Sequence, residues 1–318
     1  MLVLEDLTRR RDKVTVGLER SALMDLRHVE AALESLAHFH GSAWRWRMGG
    51  LSASSPRKEN PQLRELQRLH TDSCFLEFCF KTIFRMIRKM LRTFLENRKE
   101  NSLFVARLDD FMKNEIFKVM KVMWSNKSQS KYDTLVHGSF WSSNILFQYP
   151  SQGGGPEKAL LVDFQQIGLG DPCRDILSLL YTNTTAAFRA KHTDTLLQNY
   201  FNTLRQYFKG FFFMSSSNYQ EFSQKFSSCR RFGLAWGLYM ICVGKTDDNL
   251  STAKCNENFL VLFPETKTGW KNELNIKEVL EKRFEKISST SPNVAPNYLD
   301  IRVRLMDLLR EAKCANVI

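Results

Sequence analysis

The sequence predicts a mostly helical α+β fold with a small β-hairpin set in the middle of the chain. Two observations carry this. Apolar residues recur at three- and four-residue steps over long stretches on both sides of residues 134–162. Between those stretches the character changes to short β-prone runs, two of which are joined by a Gly-rich connection. With 318 residues, 43% hydrophobic and 25% charged, the chain is long enough to bury a sizeable core without disulfide staples.

The elements follow in order. Residues 2–7 are apolar and extended in character and read as a single strand. Leu26, Val29, Leu33, Leu36, Ala37 and His40 then mark a helix running to about Arg47, where Gly49, Gly50 and a Ser-rich stretch to Pro56 break it. Further helices fit residues 62–97 and 104–124. Thr134–Val136 is strand-like, as are Ile145–Tyr149 and Ala159–Val162, and the loop from Pro150 to Lys158 with Gly153-Gly154-Gly155 makes the last two a hairpin. Helices resume at 173–181, 186–209, 219–243, 272–287 and 297–312.

The seven cysteines (Cys74, Cys79, Cys173, Cys229, Cys242, Cys255 and Cys314) are odd in number and form no CxxC pair, so reduced thiols are expected rather than a zinc site or disulfide framework. Acidic residues come early in Met1-Leu2-Val3-Leu4-Glu5-Asp6 and no apolar h-region follows. No apolar run approaches the roughly 18–20 residues that span a bilayer. These features lead to the expectation of a cytoplasmic protein without a membrane span. A net charge of +12 favours anionic partners without choosing among them. Lys81, Arg85, Arg88, Lys89 and Arg92 form a basic stripe that reads as a solvated helix face rather than a nucleic-acid surface. Gly244-Lys245-Thr246 is not a P-loop, because position 239 is Tyr where a glycine is required and the preceding residues look helical. His38 and His40 lie in an apolar helix and read as packed or hydrogen-bonded residues, not ligands.

The chemistry-bearing residues cluster around the hairpin. Asn144 stands at the entry to one strand and Asp163 at the exit of the next, so an amide oxygen and a carboxylate converge. Hard oxygen donors with room for water and phosphate describe a magnesium site. Taken singly, His137 and Asp163 would be an ordinary strand-end histidine and a turn aspartate. Together with Asn144, the order His137-Gly138, five residues, Asn144, a strand, then Asp163-Phe164-Gln165 has the layout of a phosphoryl-transfer loop followed by a metal-binding aspartate.

With Leu2–Leu7, Leu36-Ala37-His38-Phe39-His40, Phe140-Trp141 and Gly170-Asp171-Pro172-Cys173-Arg174-Asp175, this stretch resembles the aminoglycoside-phosphotransferase and choline-kinase superfamily. More narrowly it resembles the ecdysteroid-kinase-like (CHK kinase-like) family, over residues 2 to about 180. The resemblance implies the C-terminal lobe of a protein-kinase-like fold, ATP and Mg2+ as cofactors, and a small-molecule hydroxyl substrate such as a steroid-like lipid. It implies that His137 fixes the catalytic loop, that Asn144 and Asp163 hold metal, with Asp163 also reaching the nucleotide phosphates, and that Asp175 braces the loop from a following helix. It also implies that Leu4–Leu7 is the hinge, with Glu5 and Leu7 touching adenine.

Two departures stand against activity. Ser139 occupies the position of the family's catalytic aspartate, and a serine hydroxyl is not a base near neutral pH. Nothing precedes the hinge at 2–7: there is no Gly-x-Gly-x-x-Gly and no lysine before Lys13. The expectation is thus a single kinase-like domain over 1–318, a remnant hinge strand at 1–8 followed by a helical lobe over 9–318, with the N-terminal lobe absent and an apolar patch near Leu2 and Leu4. A degenerate copy explains both losses; a fragment explains the missing lobe but not Ser139. The functional classes left open are an impaired kinase and a non-catalytic, pseudokinase-type binder of a small molecule or protein. Nucleic-acid binding rests on charge alone.

Overall fold

The computed structural model describes residues 13–18, 22–48, 74–97, 99, 102–124, 130–210, 218–244, 281–282, 284–287 and 296–314. The hinge at 2–7, with Glu5, Leu7 and the patch at Leu2 and Leu4, lies outside them, as does most of the helix expected at 272–287. The chain divides into two compact units, Met1–Ser73 with Val119–Leu234 and Cys74–Lys118 with Ala235–Ile318.

Among the described residues the first unit opens on strand β1 (Lys13–Gly17), a stretch to which the sequence pattern assigns no element. Its β-branched run Val14-Thr15-Val16 suits a pleated surface. Thr15 points inward and accepts a hydrogen bond from Gln148 Nε2 at 3.4 Å, while Val14 and Val16 are exposed. Helix α1 (Leu26–Arg47) matches its expected span. Asp25 caps it, accepting from the His28 N–H at 3.0 Å, and it buries Val29, Leu33, Leu36, His40 and Trp44. Gly41 lets α1 approach closely, since a Cβ there would stand 2.2 Å from the Tyr207 ring.

Strands β2 (Thr134–Val136), β3 (Ile145–Pro150), β4 (Lys158–Leu161) and β5 (Gly168–Gly170) follow. The expected hairpin is β3–β4, with Ile145 opposite Leu161. β1 adds to it in antiparallel register, Val16 opposite Phe147, so the hairpin is part of a three-stranded sheet in the order β1-β3-β4. β2 pairs separately with β5, Leu135 opposite Leu169.

Helix α2 (Cys74–Asn97), helix α3 (Ser102–Asp110) and helix α4 (Ile116–Trp124) lie between these two parts of the sequence. The single helix expected over 104–124 carries a π segment at Phe111–Glu115, where the Ile116 N–H donates to Phe111 O. The extra residue re-phases the apolar face so that Phe111, Met112 and Ile116 are all buried. The basic stripe on α2 is in part ion-paired within its own unit: Arg88 grips Asp109 with two bonds of 2.7 and 2.6 Å, and Arg92 meets Glu96 at 2.9 Å.

After β5 come α5 (Cys173–Asn183), buried along its whole length, and α6 (Ala186–Gln206). The helix expected over 219–243 is broken at Cys229 into α7 (Tyr219–Ser228) and α8 (Arg230–Tyr239). Ser227, Ser228 and Cys229 are weak helix formers, and the Cys229 N–H closes the turn onto Phe226 O at 3.1 Å. α8 runs into a π turn at Met240–Gly244, so the residues before Lys245 are helical, as the rejection of a P-loop requires. Helix α9 (Pro296–Cys314) is the last described element. No helix among the described residues is long and apolar enough to cross a membrane.

Candidate functional site

The loop between β2 and β3 is held from three directions. At its start Gly138 takes φ +85°, and a Cβ there would fall 2.1 Å from the Gln166 carbonyl oxygen, so both conformation and space demand glycine. Asp175, in the first turn of α5, aims its carboxylate at the same point. Its Oδ2 accepts the His137 N–H at 2.6 Å and its Oδ1 the Gly138 N–H at 2.9 Å. From α1, His40 Nε2 adds a third bond to Oδ2 at 3.0 Å, and His40 Nδ1 meets the Tyr200 hydroxyl of α6 at 2.6 Å. Arg174 closes the set, donating from Nη2 to Gly138 O at 3.1 Å.

All of these groups are buried. Burial alone would raise the Asp175 carboxyl, but the hydrogen bond and charge from His40, with His137 and Arg174 nearby, hold it below the ordinary carboxylate value. Burial pushes the Arg174 guanidinium down to about 10, still charged at neutral pH. Burial drives the Tyr200 hydroxyl well above its usual range, so it keeps its proton.

His137 is itself fixed by both ring nitrogens. Nε2 donates to the Val162 carbonyl at 2.9 Å, and Nδ1 accepts from the Ser139 N–H at 3.4 Å. Burial lowers its pKa against the pull of Asp175. The ring packs on Phe164 with centroids 4.8 Å apart, and Phe164 in turn meets Phe39 of α1 at 5.4 Å.

Ser139 and Asn144 face each other across the loop. Asn144 Nδ2 donates to Ser139 O at 2.8 Å and to Ser139 Oγ at 3.2 Å, and both residues are buried. This leaves the Asn144 Oδ1 as the oxygen of that side chain suited to a cation. The Val162 N–H donates to Asn144 O at 3.1 Å, which sets Asp163 at the same end of the hairpin as Asn144. Asp163 adopts φ +64°, is exposed, and accepts from Gln165 Nε2 at 3.2 Å. One carboxylate and one amide oxygen are donors of the hard type magnesium takes, with phosphate and water completing the shell. Among the described residues there is no group of three or more His, Cys, Asp or Glu side chains that could hold an ion unaided.

The structure thus brings His137, Ser139, Asn144, Asp163 and Asp175 to one loop, while Glu5 and Leu7 lie outside the described residues. The partners that sequence reasoning missed are Tyr200 and Arg174, together with the destination of His40. Position 40 falls on the buried stripe of α1, and a histidine on such a stripe signals a buried acceptor elsewhere.

A sequence model of the ecdysteroid kinase-like family matches residues 1–211, about two thirds of the chain. No curated protein matches it. The match spans the braced loop, the hairpin and the Asp163 turn, and by it the chain belongs to the ecdysteroid kinase-like family.

Proposed function

We propose that this chain carries the ATP- and magnesium-directed site of a small-molecule hydroxyl kinase in a form whose chemistry is impaired at Ser139. Family membership supports the phosphotransferase fold and a small-molecule substrate. The observation that carries the impairment is the Ser139 hydroxyl itself: it stands where the family has a carboxylate, is buried, and accepts from Asn144 at 3.2 Å. Losing a general base typically costs ~10²–10⁴-fold in rate. Phosphoryl transfer depends chiefly on positioning and charge, so the remaining parts support a slow reaction rather than none. Here His137 and Asp175 hold the loop, while Asn144 and Asp163 offer oxygens to magnesium and phosphate. The substrate class is a hydroxyl-bearing small molecule, steroid-like in the family's manner.

The second reading, a non-catalytic binder of a small molecule or protein, is favoured by one observation. The three donors on Asp175 keep the loop fully braced although its base is gone. Turnover separates the two. Magnesium-dependent ATP hydrolysis by the purified chain should be weak and abolished by Asp163→Ala, and Ser139→Asp should raise it by ~10²–10⁴-fold. Vigorous wild-type turnover would overturn the impairment. A thermal shift with ATP and magnesium but no turnover in either form would favour the binder.

A further inference from the structure

Helix α7 lies beyond the family-matched residues 1–211, yet three of its side chains reach the elements that frame the 137–144 loop. Glu221, Phe222 and Lys225 stand at steps that share one side of a helix. Glu221 meets Lys131, ahead of β2, at 2.7 Å. Phe222 packs edge-on to Tyr132 and stacks on Tyr200, the partner of His40. Lys225 Nζ meets Asp171 Oδ2, two residues ahead of α5, at 2.6 Å.

The Lys225 contact bears most directly on the loop. Asp171 is buried and fastens the first turn of α5 twice. Its Oδ1 accepts the Cys173 N–H at 3.0 Å, and its main-chain oxygen accepts the Arg174 N–H at 3.0 Å. The loop hangs from that same turn. Arg174 donates to Gly138 O at 3.1 Å, and Asp175 accepts the His137 and Gly138 N–H groups at 2.6 and 2.9 Å. A buried carboxylate left without its cation draws in water or a proton. At Asp171 either change disturbs the turn that carries Arg174 and Asp175.

From this geometry we propose that Lys225 is a positioning residue for the 137–144 loop, acting through Asp171 on the turn of α5 that holds it. Lys225 touches none of the reacting groups. It fixes the charge and place of Asp171, Asp171 fixes the start of α5, and Arg174 and Asp175 fix Gly138 and His137. What the loop does in turnover rests on the kinase reading above, whereas its order is measured without turnover.

The test is amide hydrogen exchange on the full chain, comparing wild type with Lys225→Met and Lys225→Arg. In Lys225→Met the His137 and Gly138 amides should exchange about 10-fold faster, with the amides of α1 and the β3–β4 pair unchanged. Lys225→Arg keeps the charge and should restore the wild-type rates. Unchanged exchange at His137 and Gly138 overturns the proposal. So does an equal acceleration in α1 and β3–β4, which is general loss of stability and not positioning. Where Lys225→Met fails to fold, Asp171→Asn decides. It keeps an acceptor for the Cys173 N–H but loses the charge, and should loosen the same two amides; full protection there overturns the proposal. A chain with no turnover at all would sink the kinase reading and leave these rates as informative as before.

Discussion

Asp175 holds His137 by its backbone, not by its ring: the carboxylate Oδ2 accepts the His137 N–H at 2.6 Å, and the ring turns away to donate to the Val162 carbonyl at 2.9 Å. One acid on α5 thereby sets where β2 ends, and the ring it positions sets where β4 ends. The two hairpin-end residues Asn144 and Asp163 are placed by the same construction.

That arrangement makes Asp175 costly to change. Asp175→Asn keeps the shape but turns one acceptor into an NH2 that must face a donor among His137 N–H, Gly138 N–H and His40 Nε2. It also leaves Arg174 buried beside a neutral partner. Losing buried charge-assisted bonds of this kind costs about 3–5 kcal/mol. Urea unfolding measures it, and a loss under about 1 kcal/mol would mean that His40 and Arg174 hold the loop without the acid.

Gly138 and Gly153 share φ +85° but not their surroundings. A Cβ on Gly138 would meet the Gln166 carbonyl oxygen at 2.1 Å, whereas one on Gly153 meets nothing within 4 Å. Gly153→Ala should therefore cost only the left-handed backbone strain, about 1–2 kcal/mol. Gly138→Ala adds a backbone clash that the Asp175 bonds prevent from relaxing, and should cost at least about 2 kcal/mol more. Equal losses in denaturant melts of the two variants would show that the loop can shift.

What the sequence made legible was local. The 3–4 spacing from Leu26 to His40 predicts α1, and a Gly-rich connection between two β-prone runs predicts β3–β4, because both signals lie within one element or its turn. The missing parts depend on distant pairing. β5 is Gly-Leu-Gly, with no strand propensity, and exists through its register with Thr134–Val136. β1 buries Thr15 and exposes Val14 and Val16, the reverse of ordinary patterning, because Thr15 has Gln148 to bond. At the site, the loop residues were legible as a cluster, but the chain from Tyr200 through His40 to Asp175 joins three helices far apart in sequence. The break at Cys229 lacks Gly or Pro, and the weak helix formers Ser227, Ser228 and Cys229 are too mild a signal to place it from sequence.

The basic face of α2 should behave as an intramolecular ion-pair surface where Arg88 lies. Arg88 and Asp109 form a two-bond pair with side chains 29% and 26% exposed, so solvent screens much of their attraction. A double-mutant cycle with Arg88→Ala and Asp109→Ala should give a coupling of about 0.5–1 kcal/mol that weakens in high salt. A coupling of several kcal/mol, insensitive to salt, would show the pair to be shielded from water.

Stability should fall on mild acidification, and His137 should account for part of the fall. Burial depresses its folded pKa below the ordinary 6.5, so between those two values the unfolded chain binds more protons than the folded one. The contribution is complete above pH 6.5 and is lost as pH drops through that window, at no more than about 1.4 kcal/mol per pH unit. Asp175 acts in a separate, lower window: its depressed carboxyl contributes stability above 3.8 that is lost as pH falls further. Urea melts at pH 7.5 and 5.5 separate the two, because of this pair His137 is the one whose window lies there. His137→Gln, though less stable at both pH values, should show a shallower dependence than the wild type, and parallel dependences would place the acid sensitivity on other groups.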